Sequence, residues 1–510
     1  MTEIQLPAID YAAISPLLVL FGVATVGVVV EAVLPRRWRY PVQLVLALGG
    51  VLAALVLVVL QAGAGVKTGG GSLTIDGPAL FMQGALLVFG LVAFLLIGER
   101  AVEPGGAIVA QAAIPVGSEA DQRQTMAPAA TEVFPLAMFS LGGMALFVAA
   151  SDLLMMFIAL EVLSLPLYLM CALARRRRLL SQEAALKYFL LGAYASGFFI
   201  FGTALIYGFA GSVDFAEIHA AVRESSMNTV LLAVGLSLVV MGLLFKAAAA
   251  PFHVWTPDVY QGAPTPVTAF MAACTKVAAF GALLRVLYVA FERSAWDWQP
   301  VVGAIAVLTM LLGAVLAVTQ TDLKRLLAYS SIANAGYVLV GLVAIGREGA
   351  SATMFYLVAY GFAVLAAFAV VSLVREPDGH EATHLSRWTG LGRTSPLLAG
   401  VFTLIMLALA GIPLTAGFTA KFAVFGAAID AGHPWLVIAG VVSSVILAFP
   451  YLRVVVMMWL SDSGENTLKP ATPGALTSAA LMVGVVAILA LGVVPGPVLD
   501  LAHHAALFLR

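Results

Sequence analysis

Four ionisable side chains lie deep inside apolar runs of this sequence. Glu161 sits in "LLMMFIALEVLSLPLYLM", Lys246 in "GLLFKAAAAPFHVWTPDVY", Lys276 in "AFMAACTKVAAFGALL" and Lys421 in "TAGFTAKFAVFG". A charge at the centre of a bilayer costs about 2.5–3.5 kcal/mol on insertion scales, so each needs a reason. Burial disfavours the charged form of an ammonium group, and a nearby carboxylate favours it again. A lysine held between those forces can load and release a proton. Movement of Glu161 towards or away from Lys246 would then be a switch. The plain alternative is a set of salt bridges that only orient helices, but one glutamate cannot neutralise three lysines.

Depth supports a common purpose. Glu161 is about nine residues from Asp152, roughly 14 Å along a helix. Lys276 is about twelve residues from the opposite end of its run, roughly 18 Å. Lys246 directly precedes "AAAAP", and Lys421 directly follows the Pro413–Gly417 stretch. Both stretches predict a helix broken inside the membrane. Broken backbone exposes C=O and N–H groups that only protein or water can satisfy, so a lysine beside such a gap would have access to water. His253 follows the first break. It has the intrinsic range of a proton carrier, and a histidine bonded to loose backbone fits equally well.

Weaker signals read plainly. Lys187 is four residues after Glu183, the spacing of an i,i+4 pair. "GAGVKTGGGS" fails as a phosphate loop because Val66 precedes Lys67. Arg175, Arg176, Arg177 and Arg178 read as a topology anchor rather than a binding site. Cys171 and Cys274 have no ligand or disulfide spacing and read as small buried residues. No metal, haem, flavin, iron–sulfur or nucleotide signature is visible, so no redox centre is expected in this chain.

The elements that must position these residues are membrane helices. Of 510 residues, 62% are hydrophobic and 10% charged, against about 25% charged in a soluble domain. The net charge of −1 gives no basic surface for nucleic acid. Acidic Glu3 and Asp10 precede the first apolar run, which is wrong for a cleavable signal. Apolar runs predict an all-α polytopic protein of fourteen spans, about 13–34, 42–61, 76–97, 132–150, 152–174, 184–209, 228–258, 264–291, 300–319, 325–346, 352–374, 395–429, 434–459 and 475–498. With the N-terminus outside, the inside loops hold 15 Lys and Arg, Lys469 among them, and the outside segments hold 5, Arg510 among them. Both termini are therefore expected outside.

Three spans (1–98) lead. Residues 99–131, rich in Ala, Gly and Pro, form a cytoplasmic loop that reads as a flexible linker or as a docking segment for a neighbouring subunit. Spans 4–8 (132–291) and 9–13 (300–459) each have a broken helix as fourth member, and 460–510 holds the last span. Five spans per repeat invert the second copy, the plan of many ion transporters.

"EVLSLPLYLM", "EAALKYFLLGAYASGFFIFGTALIYG", "FKAAAAPFHVWTPDVYQGAPTPVTAFMAACTK", "TDLKRLLAYSSIANAGY" and "GLGRTSPLLAGVFTLIMLALAGIPLTAGFTAKF" closely resemble the antiporter-like membrane subunits of respiratory complex I, over about residues 130–460. The resemblance implies fourteen helices, the same inverted repeats and both termini outside a bacterial cell (inner) membrane. It implies a proton-translocation role for Glu161 paired with Lys246, for Lys276 as the central lysine of span eight, and for Lys421 on the outlet side. Among sister types, Lys421 disfavours the M type. The absence of a long lateral helix after span fourteen disfavours the L type, leaving the N type. Partners would be other membrane-arm subunits, including antiporter-like sisters, within the lipid bilayer. NADH, FMN, iron–sulfur clusters and quinone would belong to partner subunits.

One position departs from the family pattern. Members often read Ser-Ile-Ser-His in span ten, and Asn334 stands at the histidine position. An amide cannot hold an extra proton at neutral pH. Ser330, Ser331 and Tyr337, with ordered water, would have to bridge Lys276 and Lys421. The expected function is a proton-translocating subunit of an NADH–quinone oxidoreductase. A subunit of a multisubunit sodium–proton antiporter and a purely structural scaffold are the alternatives.

Overall fold

The computed structural model describes residues 9–509 except 104, 113, 116, 126–129, 225–228, 378, 462–467 and 469. Glu3, Lys469, Arg510 and parts of the 99–131 loop thus lie outside the described residues. Twelve helices among the described residues are long and apolar enough to cross a membrane. Two shorter apolar helices, Val133–Phe147 and Pro396–Ala410, join them.

The helix rod Thr265–Ala290 is the centre of the bundle, with its apolar window wholly buried. Leu323–Val343 and Arg347–Leu373 are nearly as enclosed. Helices such as Ser15–Val33 and Pro434–Trp459 keep one face open, as expected where a surface meets lipid. Aspartates start three helices by accepting a backbone N–H: Asp76 from Ala79 at 3.1 Å, Asp152 from Met155 at 2.6 Å and Asp322 from Arg325 at 3.1 Å. Each satisfies one of the donors a helix start leaves free.

Both predicted breaks are present. The first separates Thr229–Ala247 from the half-helix Trp255–Gly262, with Ala248 at φ +60°. The second separates Pro396–Ala410 from Ala416–Asp430, with Gly411 at φ +84° and Leu414 at φ +69°. Left-handed backbone ends a helix, and alanine and leucine adopt it at a cost.

Two features correct the sequence expectation. The chain is not wholly helical: Val66–Thr68 and Leu73–Ile75 form a small antiparallel hairpin, with Val66 opposite Ile75, around the glycine turn 69–71. The hairpin docks through the Thr74 amide, which donates to the Ala149 carbonyl at 2.8 Å. The helix expected from 184 begins at Arg178, because Arg178, Ser181, Gln182 and Glu183 interrupt the leucines of its first two turns and break the apolar run there.

The 99–131 loop is tied to its own chain where it is described. Arg175 donates to the carbonyls of Gly105 (2.5 Å), Gly106 (2.6 Å) and Ile108 (3.2 Å). Arg178 donates to Gln111, Ala112 and Ile114 carbonyls and pairs with Asp121 at 3.1 Å. Glu103 is gripped by Arg176 at 2.7 Å and Arg375 at 2.9 Å. Arg177 reaches the other way, to the Glu381 carbonyl and the Thr383 hydroxyl. The tetra-arginine is thus a binding element as well as a run of charge, and it holds two loops at one end of the bundle. The hairpin marks the opposite end.

A candidate proton path through buried lysines

Lys246 is the penultimate residue of the helix that the first break ends. Its side chain is buried and donates to the Tyr168 hydroxyl at 3.2 Å. The ammonium lies 5.1 Å from the ring centroids of both Tyr168 and Tyr188, and 5.9 Å from that of Phe245. These are cation–π distances. Trp255 stacks on Tyr188 at 4.6 Å and closes the box from beyond the break.

Glu161 stands seven residues before Tyr168 on Leu153–Cys171, two helical turns along one face. Its Oε1 is buried without a hydrogen-bond partner among the described residues. No Glu161–Lys246 pair closes to 4.0 Å among them. The tyrosine hydroxyl, not the carboxylate, is what the lysine touches.

Lys276 follows a π-helical turn, Met271–Thr275, a distortion frequent at functional sites. Its buried ammonium donates to the Ala247 carbonyl at 3.0 Å. Ala247 is the neighbour of Lys246 in sequence and the last residue of its helix. Two of the predicted lysines therefore meet at one helix end.

Lys421 repeats the arrangement at the second break. Its buried ammonium donates to the Ala410 carbonyl at 2.9 Å, and Ala410 ends the helix Pro396–Ala410. A Cβ on Gly411 would lie 3.1 Å from Nζ, so the glycine allows this approach. A helix C-terminus carries free carbonyls and partial negative charge, and both favour an ammonium group.

Hydroxyls of the helix Leu323–Val343 meet those of neighbouring helices. The Ser331 hydroxyl is 3.5 Å from that of Tyr260, and Ser330 contacts the Tyr451 hydroxyl. Tyr337 donates to Ser443 at 3.2 Å and accepts from Ser444 at 2.9 Å. Lys421 lies 4.8 Å over the Tyr337 ring. Asn334 is bracketed: its Nδ2 donates to the Ser330 carbonyl at 2.8 Å and its Oδ1 accepts from Tyr356 at 2.7 Å. Asn334, Tyr356, Tyr360 and Lys421 line one small cavity. Sequence reasoning found Ser330, Ser331, Asn334 and Tyr337. It missed Tyr168, Tyr260, Tyr356, Tyr451, Ser443 and Ser444, because hydroxyls in apolar runs carry no distinguishing spacing.

His253 lies in the first break itself, half-buried, with its ring against the Pro251 backbone. Among the described residues no hydrogen bond joins it to Lys246, Lys276 or Lys421. Lys187 makes the expected pair with Glu183 at 2.7 Å and a second with Asp258 at 2.6 Å. Asp258 also takes Arg325 at 2.7 Å, so the half-helix Trp255–Gly262 is clamped between two helices. Beneath it, Lys324 donates to the Ala263 carbonyl at 2.9 Å and faces Glu381 at 3.5 Å. Burial pushes the Glu381 carboxyl up. Lys324, Arg375, the Thr265 hydroxyl and Arg177 outweigh that and hold it below the usual carboxylate range.

A further buried charge pair escaped the sequence reading. Arg285 and Asp76 meet at 2.5 Å near the hairpin end, both almost fully buried. Arg285 also donates to the Val148 carbonyl at 3.0 Å, and the Leu509 amide donates to Asp76 at 3.0 Å. Among the described residues, no group of three or more His, Cys, Asp or Glu side chains could hold a metal ion. Cys171 and Cys274 are buried free thiols.

The family described as "NADH:quinone oxidoreductase/Mrp antiporter, TM" matches residues 150–447. NADH-quinone oxidoreductase subunit N of Salinispora arenicola is 68% identical over 100% of both chains. That of Saccharopolyspora erythraea is 57% identical over 99% of each. Among solved structures, a chain of respiratory complex I from Thermus thermophilus with bound aureothin superposes with a TM-score of 0.77 at 34% identity, covering 96% of this chain and 99% of that one. A chain of the Mrp complex from Dietzia sp. superposes with a TM-score of 0.82 at 24% identity, covering 98% and 97%, a likeness of fold.

Proposed function

The chain belongs to the family of NADH-quinone oxidoreductase subunit N, and from that premise we propose that it moves protons across the membrane along Glu161, Lys246, Lys276 and Lys421. The observation that carries the proposal is the matched pair of lysine-capped helix ends. Lys276 on Ala247 and Lys421 on Ala410 each hold an ammonium group against free carbonyls inside the bundle. A cap of this kind holds the protonated lysine in place. Loss of the proton weakens the bond and frees the carbonyl for water.

In this reading the chain crosses the membrane fourteen times. Val133–Phe147 and the broken Pro396–Asp430 stretch complete the count. Spans 4–8 and 9–13 form two inverted repeats, the termini lie outside, and the arginine-rich end faces the cytoplasm. Quinone reduction elsewhere in the complex shifts the balance at Lys246, and protons pass by Lys276 to Lys421. NADH, FMN, iron–sulfur clusters and quinone are bound by partner subunits of the membrane and peripheral arms. Ser330, Ser331 and Tyr337 supply hydroxyls for the lateral step, joined by Tyr451, Ser443 and Ser444. Asn334, fixed at both ends, positions its neighbours rather than carrying a proton.

High identity to subunit N over the full length favours this reading over a sodium–proton antiporter subunit. The test is NADH-driven proton uptake by inside-out vesicles bearing the assembled complex. Lys246→Ala and Glu161→Ala should each lower uptake severalfold with assembly unchanged. Normal uptake in both would mean the residue roles are wrong.

A further inference from the structure

Tyr168 is placed by an absence. A Cβ built on Gly192 would lie 2.1 Å from the Tyr168 hydroxyl and 2.7 Å from its Cζ. Contacts below 3.0 Å do not survive in real packing, and both atoms belong to a rigid ring. Gly192 is buried in the middle of Arg178–Ala210 at an ordinary helical position, so no backbone requirement explains a glycine there. In a helix interior glycine costs about 1 kcal/mol relative to alanine. What it provides is a notch. The notch lets the ring of Tyr168 lie edge-on to Tyr188, with centroids 4.7 Å apart, and turns its hydroxyl to Lys246.

We propose that Tyr168, seated in the Gly192 notch, is the positioning residue that holds the Lys246 ammonium in the aromatic box and out of contact with Glu161. The proposal rests on the reading of Lys246 as a proton carrier. It adds that the lysine has two alternative partners. In one state the neutral hydroxyl of Tyr168 accepts its hydrogen bond; in the other the carboxylate of Glu161 does. Glu161 and Tyr168 stand on one face of the same helix, two turns and about 10 Å apart along its axis, so exchanging them requires the long lysine side chain to reorient along that face. The unpartnered Glu161 Oε1 is the acceptor kept in reserve. One hydrogen bond to a charged group shifts the balance between the two positions about tenfold.

Four variants of the assembled complex test this: Tyr168→Phe, Gly192→Ala, the two combined, and Lys246→Ala as reference. Phenylalanine removes only the hydroxyl and keeps the ring. The Gly192→Ala methyl group displaces the ring and its hydroxyl together. Protons taken up per NADH oxidised should fall severalfold in each single variant, with assembly at the parent level. The combined variant should be no worse than the poorer single variant, because both changes remove the same contact. A defect confined to packing would instead add in the combination. Full pumping by Tyr168→Phe beside a defective Lys246→Ala would overturn the proposal while leaving the proton path standing. Additive losses in the combined variant would overturn it too. Normal pumping by Lys246→Ala would remove the reading beneath it.

Discussion

Lys276 donates its hydrogen bond to the carbonyl of Ala247, the last residue of the helix that Lys246 nearly ends. The two lysines are 30 positions apart in sequence and come from different helices, yet they serve one helix terminus. Lys421 does for Ala410 what Lys276 does for Ala247. A break that frees carbonyls inside a membrane protein needs donors, and in both places a lysine is one of them. The sequence feature that looked costly and the backbone feature that looked costly satisfy each other.

A donor that cannot change its charge separates structure from transport. In Lys421→Gln the amide can still donate to Ala410, so assembly and thermal stability should stay near the parent. Proton uptake per NADH should fall severalfold. Lys421→Leu leaves the carbonyl unsatisfied and should cost a further 1–3 kcal/mol or so in stability. Thermal denaturation of the purified complex, read beside uptake, distinguishes the two effects. Normal uptake by Lys421→Gln would support a scaffold role.

The Arg285–Asp76 pair should be structural. Removing one member of a buried pair costs about 3–5 kcal/mol because the other charge is stranded. Asp76→Ala also removes a helix cap, worth about 1 kcal/mol. Assembled complex should be scarce in Asp76→Ala and in Arg285→Met. It should recover in part when Asp76→Asn and Arg285→Met are combined. Blue-native gels of the membranes read the outcome.

The arginine clamp predicts where a protease can cut. Arg175→Ala with Arg178→Ala removes the bonds that hold Gly105, Gly106, Gln111, Ala112 and Ile114. The 99–131 loop should become sensitive to protease, while the parent loop resists. Cleavage should occur in inside-out vesicles and not in sealed right-side-out ones. The opposite sidedness would invert the proposed topology.

Glu381 gives a pH dependence with a definite sign. Its carboxyl is held below the ordinary range when folded, so its pairing contributes stability above the unfolded value of about 4.3. That contribution is lost as the pH falls through the lower, folded value. The parent complex should lose thermal stability on acidification below about pH 4 more steeply than Glu381→Gln, which lacks the titrating group. At neutral pH the variant should be the less stable of the two. Equal acid profiles would remove Glu381 from the network.

Much of this was legible in the sequence, and the reasons are particular. Helices announced themselves because a bilayer demands about 20 apolar residues in a row. Glu161, Lys246, Lys276 and Lys421 stood out because charge is expensive in such runs. The breaks were marked by Pro251, and by Gly411, Pro413 and Gly417. Partners were not legible. Tyr168 and Gly192 look like any aromatic and any small residue on a membrane helix, and only the close approach of two helices gives them meaning. The grip of Arg175 and Arg178 on the 105–114 stretch joins residues about 70 apart, which no local pattern records. Arg285 and Asp76 did not stand out as a pair, because they are 209 residues apart.

The central claim is that a lysine at a broken helix end carries protons, and Lys276→Met tests it most directly. Methionine keeps the apolar stem and removes the ammonium. The measurement is protons translocated per NADH oxidised in vesicles where blue-native gels show parental levels of complex. A severalfold fall in that ratio is the predicted result. A parental ratio in fully assembled Lys276→Met complex would contradict the account.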